Sequence, residues 1–336
     1  MDIILLLTIL VVIFALAFDF INGFHDTANA IATSVSTRAL KPRTAIFMAA
    51  IMNFIGALTF TGVAKTISKD IVDPFALENG ALVILAALIA AIFWNLITWY
   101  FGIPSSSSHA LIGSIAGAAI SAAGVGILNY TGFLKILQAL LISPFIALVG
   151  GFLMMTLFRV LLKNRNLFKV NRRIRYLQIG TAALQSFTHG TNDAQKAMGI
   201  ITMALIAGNL QTSDDIQLWV RVSAAAAMGL GTSIGGYKII KTVGGKIMKI
   251  RPVNGAAADL SSAIIIFGAT LLHLPVSTTH VISSAIMGVG TAQRVKSVKW
   301  GVAQKIVLTW VITLPISAIV AAITYKILIF IYNLII

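Results

Sequence analysis

The chain has no cysteine among its 336 residues, and only 10% of its residues are charged. The absence of cysteine excludes disulfides and thiolate metal sites. Acidic residues are scarce, with 10 Asp and Glu against 25 Lys and Arg, which gives a formal net charge of +15. Such an excess would suggest nucleic-acid binding in a soluble protein, but here the basic residues fall in loops between apolar runs. We therefore expect no nucleic-acid partner.

Hydrophobic residues make up 58% of the chain, and its mean hydropathy is +0.94. Apolar runs of about 17–25 residues, the length that crosses a bilayer, recur from end to end. The short alternating segments that are typical of membrane barrels are missing from the sequence. The composition therefore predicts an all-α polytopic protein that crosses the cell membrane many times and is surrounded by lipid.

Two pairs of polar motifs interrupt the apolar runs. One motif occupies residues 23–30 (GFHDTANA) and returns at 190–197 (GTNDAQKA). The other occupies 104–109 (PSSSSH) and returns at 275–280 (PVSTTH). The two motifs return in the same order and after nearly the same length of chain. Such regularity indicates a duplicated unit, as in many transporters.

The charges of the loops give the two copies opposite orientations. Basic loops favour the cytoplasmic side, and the loop at 38–43 is basic while its counterpart near 208–215 is acidic. Each half holds six apolar segments. We divide the chain into a first transmembrane repeat at 1–162, a basic cytoplasmic linker at 163–175, and an inverted second transmembrane repeat at 176–336.

The polar motifs also predict where the helices are interrupted. Gly, Pro and polar residues within an apolar run are typical of discontinuous transporter helices. We expect two inverted-topology repeats with broken or re-entrant helices that meet near the bilayer midplane, including a break at Gly23. Non-helical backbone at that depth is stable only where protein or water satisfies its polar groups.

Asp26 and Asp193 lie at the centres of the first motif pair. A charge within a membrane span costs about 2.5–3.5 kcal/mol by insertion scales, so it usually has a function. Carboxylate, amide and hydroxyl oxygens suit hard cations such as Na⁺. An ion pair between Asp193 and Lys196 and a proton-carrying carboxylate remain alternatives. We predict that the sodium ligands are Asp26, Asp193, Asn22, Asn29 and Asn192.

The hydroxyl runs of the second motif pair follow a proline and precede an apolar helix. Ser and Thr cap the free amides of a helix start, and the same amides can bind an anion. Capping alone is the alternative for either run, but two runs in register favour an anion site. We predict that the substrate is bound by the hydroxyls of Ser105, Ser106, Ser107, Ser108, Thr27, Thr191, Ser277, Thr278 and Thr279.

These motifs resemble the duplicated signature Gly-x-Asn-Asp-x-x-Asn-x of the inorganic phosphate transporter (PiT) family, and the resemblance spans nearly the whole chain. It implies phosphate as the substrate, uptake driven by Na⁺ or H⁺, and essential roles for Asp26 and Asp193. Two positions depart from the signature. His25 stands where the family has Asn, and Lys196 replaces the closing Asn of the second copy.

We expect a secondary active transporter, not an enzyme, that imports inorganic phosphate with Na⁺ as its coupling ion by alternating access. The alternatives are an H⁺-coupled phosphate symporter and a carrier of sulfate or another oxyanion. An anion channel fits the acidic pair less well, and a membrane phosphoesterase fits the duplication less well. The expected partners are phosphate, Na⁺ and membrane lipid, and a homodimer remains open.

Overall fold

The computed structural model describes residues 3–72, 79–163, 167–234 and 236–335, with the side chains of 167–171 and 335 left out. These ranges form helices joined by short turns, and their only β-contact is a single bridge between Val72 and Leu128. The helices are α1 (Ile3–Ser36), α2 (Pro42–Ala57), α3 (Gly62–Asp70), α4 (Gly80–Phe101), α5 (Ser107–Ala123), α6 (Tyr130–Leu162), α7 (Leu167–Ala207), α8 (Leu218–Ile234), α9 (Tyr237–Lys241), α10 (Pro252–Leu271), α11 (Thr278–Gln293) and α12 (Trp300–Ile335).

Five helices of the described ranges, α1, α4, α6, α10 and α12, are long and apolar enough to cross a membrane. Helices α2 and α3 meet at a bend of 68° and make a sixth candidate span when taken together. Helices α5 and α8 are apolar but shorter. The predicted all-α, multi-pass membrane architecture is confirmed.

Helix α7 begins within the segment that the sequence analysis treats as a linker. Residues 164–166 of that segment lie outside the described residues, and the helix starts at Leu167. The division into 1–162, 163–175 and 176–336 therefore stays a prediction.

The two halves pack against each other reciprocally. Helix α1 packs on α8 as α2 packs on α7, and α5 packs on α12 as α6 packs on α11. Helices α6 and α12 each contain an internal proline, Pro144 and Pro315, and these lie as far apart in the chain as Pro104 and Pro275. This exchange of partners is what two inverted-topology repeats produce around a shared axis.

The predicted break at Gly23 is wrong, because α1 continues through it and α7 likewise continues through residues 190–197. The glycine serves helix packing instead. A Cβ atom at Gly23 would collide with the Met228 carbonyl oxygen of α8. Because glycine has no Cβ atom, the backbones of α1 and α8 can approach each other closely here. Asp26, Thr27 and Asn29 of α1 form side-chain hydrogen bonds with neighbouring helices while the helix remains continuous.

The helices are broken at the hydroxyl runs, between α4 and α5 and between α10 and α11. Helix α4 ends at Phe101 and is followed by Gly102, which has a left-handed φ of 65°. His273, which follows α10, has a φ of 58°. Pro104 and Pro275 follow shortly after these positions, and proline cannot continue a helix. These breaks place the starts of α5 and α11 inside the protein.

Two apolar clusters lie on either side of a polar centre. Along α1 the first cluster ends at Phe18, and the second begins at Ala28. The side chains of residues 19–27 are buried except for Phe20, which is half-buried, yet none of them belongs to either cluster. The fold thus encloses a polar layer between two apolar layers, and that layer holds the first motif.

We expect Gly231→Ala to lower the stability of the fold. Its new Cβ atom would meet the backbone of Phe20 in α1, and overpacking typically costs about 1–3 kcal/mol. Gly268→Ala is the matched control, since a Cβ there meets no described atom within 4 Å. Thermal unfolding of the purified protein in detergent should show a lower midpoint for Gly231→Ala only. Equal midpoints would contradict the close α1–α8 contact.

Candidate functional site

The four motifs meet in the polar layer, where α1 and α7 face the starts of α5 and α11. Each of these two starts is capped by a serine. Ser106 accepts a hydrogen bond from the amide of His109 at 3.1 Å, and Ser277 accepts one from the amide of His280 at 3.3 Å. The first hydroxyls of each helix therefore project into the site at fixed positions.

Asp26 accepts hydrogen bonds from both halves of the protein and exposes only 1% of its surface. The Ser107 hydroxyl donates to Oδ2, and the Thr279 hydroxyl donates to Oδ1 over 2.9 Å. His25 Nδ1 lies 2.7 Å from the same Oδ1 atom. The Asn29 amide donates to Thr279 over 2.8 Å. One carboxylate thus joins the motif on α1 to the starts of α5 and α11.

Asp193 is fully buried and has an equivalent hydroxyl partner. The Thr278 hydroxyl donates to its Oδ2 over 3.2 Å. The Lys196 ammonium donates to Oδ1 over 2.6 Å, and the Asn22 amide of α1 donates to Oδ2 over 3.4 Å. His189 Nε2 lies 3.4 Å from Oδ2. Asp193 therefore has a lysine partner that the site around Asp26 lacks.

The two hydrogen-bonded pairs are related by the repeat. Thr278 holds the place in the second hydroxyl run that Ser107 holds in the first, and Asp193 is the counterpart of Asp26. Thr279 belongs to the second half, and its hydroxyl donates a hydrogen bond to Asp26 of the first half. The site is thus formed by both halves together.

The other hydroxyls of the serine run do not contact a carboxylate in the part of the chain that the structure describes. Ser105 donates to the Thr98 hydroxyl over 2.8 Å, and Ser108 donates to the Val276 carbonyl over 2.9 Å. Both side chains are buried. The hydrogen bond of Ser105 stabilises the interruption between α4 and α5. The hydrogen bond of Ser108 links this interruption to the one between α10 and α11.

Thr27 and Thr191 contact neighbouring groups instead of the hydroxyl runs. Thr27 Oγ1 lies 3.0 Å from Thr232 Oγ1 in α8 and accepts a hydrogen bond from the Asn53 amide over 2.9 Å. Thr191 donates to the Thr188 carbonyl over 2.7 Å, within α7. Neither hydroxyl is hydrogen-bonded to a carboxylate among the described residues.

Asn192 fastens the turn before α11. Its amide nitrogen donates to the Thr270 hydroxyl and to the Leu274 carbonyl, both over 3.1 Å, and its oxygen accepts from the Val276 amide over 3.2 Å. Both polar atoms of the side chain are therefore engaged. The structure brings Asn192 to the site as a support for the second break.

Two histidines and a tryptophan form the wall behind the hydroxyls. The rings of His109 and His280 have centroids 4.5 Å apart, and Trp310 stacks on His280 at 4.0 Å. The Trp310 indole donates to the Pro104 carbonyl over 3.2 Å. A cavity of about 770 Å³, mostly apolar, lies behind this wall between α6 and α12.

Sequence reasoning missed several residues that support the site. Asn53 in α2 donates to Thr27, and its oxygen lies 3.0 Å from His189 Nδ1. Thr98 in α4 lies 3.0 Å from His25 Nε2. Each is an isolated polar residue within an apolar run, which is the only signal that could have found it. Among the described side chains, no group of three or more His, Asp and Glu residues is arranged to hold a metal ion.

The chain is similar to known proteins over nearly its whole length. The model of the phosphate transporter family matches residues 22–174 and 163–321. A Bacillus subtilis protein named probable low-affinity inorganic phosphate transporter is 72% identical over 329 residues, covering 98% of this chain and 99% of that protein. A Rhizobium meliloti protein of the same name is 47% identical over 313 residues, 93% of either chain.

A solved structure shares the fold. It is named "The sodium-dependent phosphate transporter", and it matches with a TM-score of 0.88 at 27% identity. The match covers 97% of this chain and 99% of the other. The similarity therefore extends to the arrangement of the helices as well as to the sequence.

We expect Asn192→Leu to destabilise the protein, because it leaves the buried Val276 amide and Leu274 carbonyl without their partners. Each unsatisfied group costs about 1–3 kcal/mol. Asn95→Leu is the matched control, since the Asn95 side chain is equally buried but has no hydrogen-bond partner among the described residues. Thermal unfolding in detergent should show a loss for Asn192→Leu and none for Asn95→Leu. Similar losses in both variants would contradict the fastening role.

Proposed function

This chain belongs to the phosphate transporter family, and from that premise we propose that it imports inorganic phosphate with Na⁺ by alternating access. The observation that carries the proposal is that the Asp26 carboxylate accepts hydrogen bonds from hydroxyl groups of both halves of the protein. A movement of one half relative to the other would change the hydrogen bonds of this carboxylate. It is also the group that a coupling cation would bind.

Competition for hydroxyl protons provides the coupling. Ser107, Thr278 and Thr279 each have one hydroxyl proton, and each donates it to a carboxylate. A cation bound to the carboxylates would take over their lone pairs and free these protons. The hydroxyls could then turn to a phosphate oxygen, supported by the amides and dipoles at the starts of α5 and α11. Cation binding thus prepares phosphate binding.

We place the coupling cations beside the carboxylates Asp26 and Asp193. Amide oxygens complete the ligand set, because the Oδ1 atoms of Asn22 and Asn29 are buried and have no hydrogen-bond partner among the described residues. Oxygens of this kind are ligands for hard cations. The sodium dependence in the name of the structural neighbour supports Na⁺ as the ion. Asn192 would have to release Val276 to join this set.

Alternating access follows from the two halves of the chain. We assign the repeats 1–162 and 176–336, joined by 163–175, as the units that move relative to each other around the site. A membrane potential that is negative inside opposes anion entry by about 2.3 kcal/mol per charge per 100 mV. Carrying more cation charge than phosphate charge reverses that opposition, which is the physical advantage of symport.

An H⁺-coupled phosphate symporter is the second candidate. The 2.7 Å contact between His25 and Asp26 favours it, because such a pair can share a proton. Imposed gradients separate the two candidates, because each drives uptake only through its own coupling ion.

We expect Asp26→Asn to abolish uptake of radiolabelled phosphate into proteoliposomes under an inward Na⁺ gradient. The amide keeps the shape of the side chain but loses the charge that attracts the cation. Asp215→Asn is the control, because the Asp215 side chain is 76% exposed on a loop. Uptake by the unaltered protein that follows an H⁺ gradient and ignores Na⁺ would establish the second candidate instead.

We expect Thr279→Val to raise the KM for phosphate by about tenfold or more, since a hydrogen bond to a charged group contributes about 1.5–3 kcal/mol. Thr291→Val is the matched control in the same helix, where the hydroxyl only donates to the Met287 carbonyl. Initial rates of uptake measure both variants, and excess sulfate tests oxyanion selectivity. An unchanged KM in Thr279→Val would remove this hydroxyl from the substrate site, and full competition by sulfate would favour a broader oxyanion carrier.

A further inference from the structure

The cavity between α6 and α12 opens at the surface of the protein. Helix α6 packs on α11 and helix α12 packs on α5, and about 770 Å³ is left between them. The floor of this cavity is formed by His109, His280 and Trp310. Its rim consists of exposed apolar side chains, which are Leu141, Phe145, Leu308 and Val311. Large exposed apolar patches mark membrane or protein contacts, so the occupant of the cavity comes from the bilayer or is another protein.

The apolar cavity is at least as deep as one leaflet of the bilayer. Along α12 its lining runs from Trp300, the first residue of the helix, to Pro315. That length of helix extends about 22 Å, whereas half of the hydrocarbon core measures about 15 Å. The Trp300 indole donates to the Val295 carbonyl over 2.9 Å, and tryptophan is enriched at membrane surfaces. The cavity therefore follows the course of an acyl chain from the membrane surface to the middle of the bilayer.

A smaller, basic cavity lies near the start of α12. It measures about 460 Å³ and lies between the segment before α10 and the end of α11. Its lining includes the exposed side chains of Lys249, Arg251 and Arg294. None of the three is paired with an acidic residue that the structure describes. Arg binds phosphate groups through paired hydrogen bonds, and Lys binds them as a point charge, so this cavity suits a phosphate group.

The basic cavity and the apolar cavity are neighbours. Ser297 lines the basic one, and Trp300, in the next turn of the chain, lines the apolar one. Between them, the Lys299 amide donates to the Ile247 carbonyl over 2.8 Å, which fixes the segment before α10 against the start of α12. A molecule with a phosphate group at one end and an apolar chain at the other would fit both cavities together.

The charge at this end of the protein separates a lipid from a second copy of the chain. Most of the Lys and Arg residues fall in four stretches without any Asp or Glu, at 38–43, 159–175, 238–251 and 294–305. Another copy in the same membrane orientation would bring like charges together here. An anionic headgroup would instead meet opposite charges, and basic clusters beside a membrane attract anionic lipids.

We propose that the protein binds one anionic phospholipid at this place. Its phosphate group lies between Lys249, Arg251 and Arg294, and one of its acyl chains fills the cavity between α6 and α12. The chain then covers the histidine wall on the side that faces away from the hydroxyls. Since His109 Nδ1 lies 2.9 Å from the Ser106 hydroxyl that caps α5, the bound lipid supports the start of that helix.

Native mass spectrometry of the purified full-length protein in detergent, titrated with phosphatidylglycerol or phosphatidylcholine of the same chain length, tests the headgroup. We expect one phosphatidylglycerol to bind about tenfold or more tightly than phosphatidylcholine. Replacing both Arg251→Gln and Arg294→Gln should weaken phosphatidylglycerol binding about tenfold or more. The matched control replaces both Lys241→Gln and Lys246→Gln. It removes the same charge from exposed residues that do not line the basic cavity, and its binding should be unchanged.

A second variant tests the acyl chain without changing any charge. Val307→Trp places a large ring in the apolar cavity and should weaken phosphatidylglycerol binding about tenfold or more, because less of the chain can be buried. Ile319→Trp is its control, since Ile319 is an exposed residue of the same helix that does not line the cavity. Both substituted positions are exposed, so the fold should tolerate the larger side chain.

Four outcomes would overturn the proposal. Equal binding of the two lipids, or an unchanged affinity in the double arginine variant, would refute the headgroup site. An unchanged affinity in Val307→Trp would refute the chain site. Complete displacement of the lipid by inorganic phosphate alone would identify a free anion as the ligand. A lipid-free dimer that Val307→Trp dissociates would show that a second copy covers the cavity. These binding measurements are independent of the coupling ion, so either result leaves the proposed function to its own tests.

Discussion

The burial of the Asp26 carboxylate is the constraint on which the rest of the structure depends. A charge in that position must be surrounded by donors, and a single helix cannot provide them. Ser107 supplies a hydroxyl from the first half and Thr279 supplies one from the second. Both donors reach the carboxylate only because α5 and α11 begin inside the protein. The broken helices, the reciprocal packing and the polar layer all follow from this requirement.

The sequence predicts the repeat, the membrane class and the breaks at the hydroxyl runs, because proline and serine leave local signals in the chain. The same local reasoning fails at Gly23. A glycine beside polar residues is also what a helix needs where another backbone crosses it closely, and at Gly23 that backbone belongs to α8. The approach of α8 is a tertiary contact, which sequence spacing alone does not contain.

The candidate site shows the same division between local and tertiary information. Ser107, Thr278 and Thr279 lie at the carboxylates, as expected from their place at the starts of two helices. Asn192 is next to Asp193 in the chain but bonds to the turn before α11, because its side chain leaves the helix in another direction. Adjacent residues on a helix point about 100° apart, so proximity in sequence does not assign them to one site.

The hydroxyl contacts also explain how the proposed coupling would exclude futile transport. The hydroxyls of Ser107, Thr278 and Thr279 donate to carboxylates, so these buried groups satisfy one another. An empty carrier with these hydrogen bonds would change freely between its two orientations. With both solutes bound, cations would neutralise the carboxylates and phosphate would accept hydrogen bonds from the hydroxyls. A carrier loaded with cations alone leaves hydroxyls without acceptors, and one loaded with phosphate alone places negative charges together. In the proposed mechanism the half-loaded forms would therefore be the unstable ones, and this difference would make the movement of one solute depend on the other.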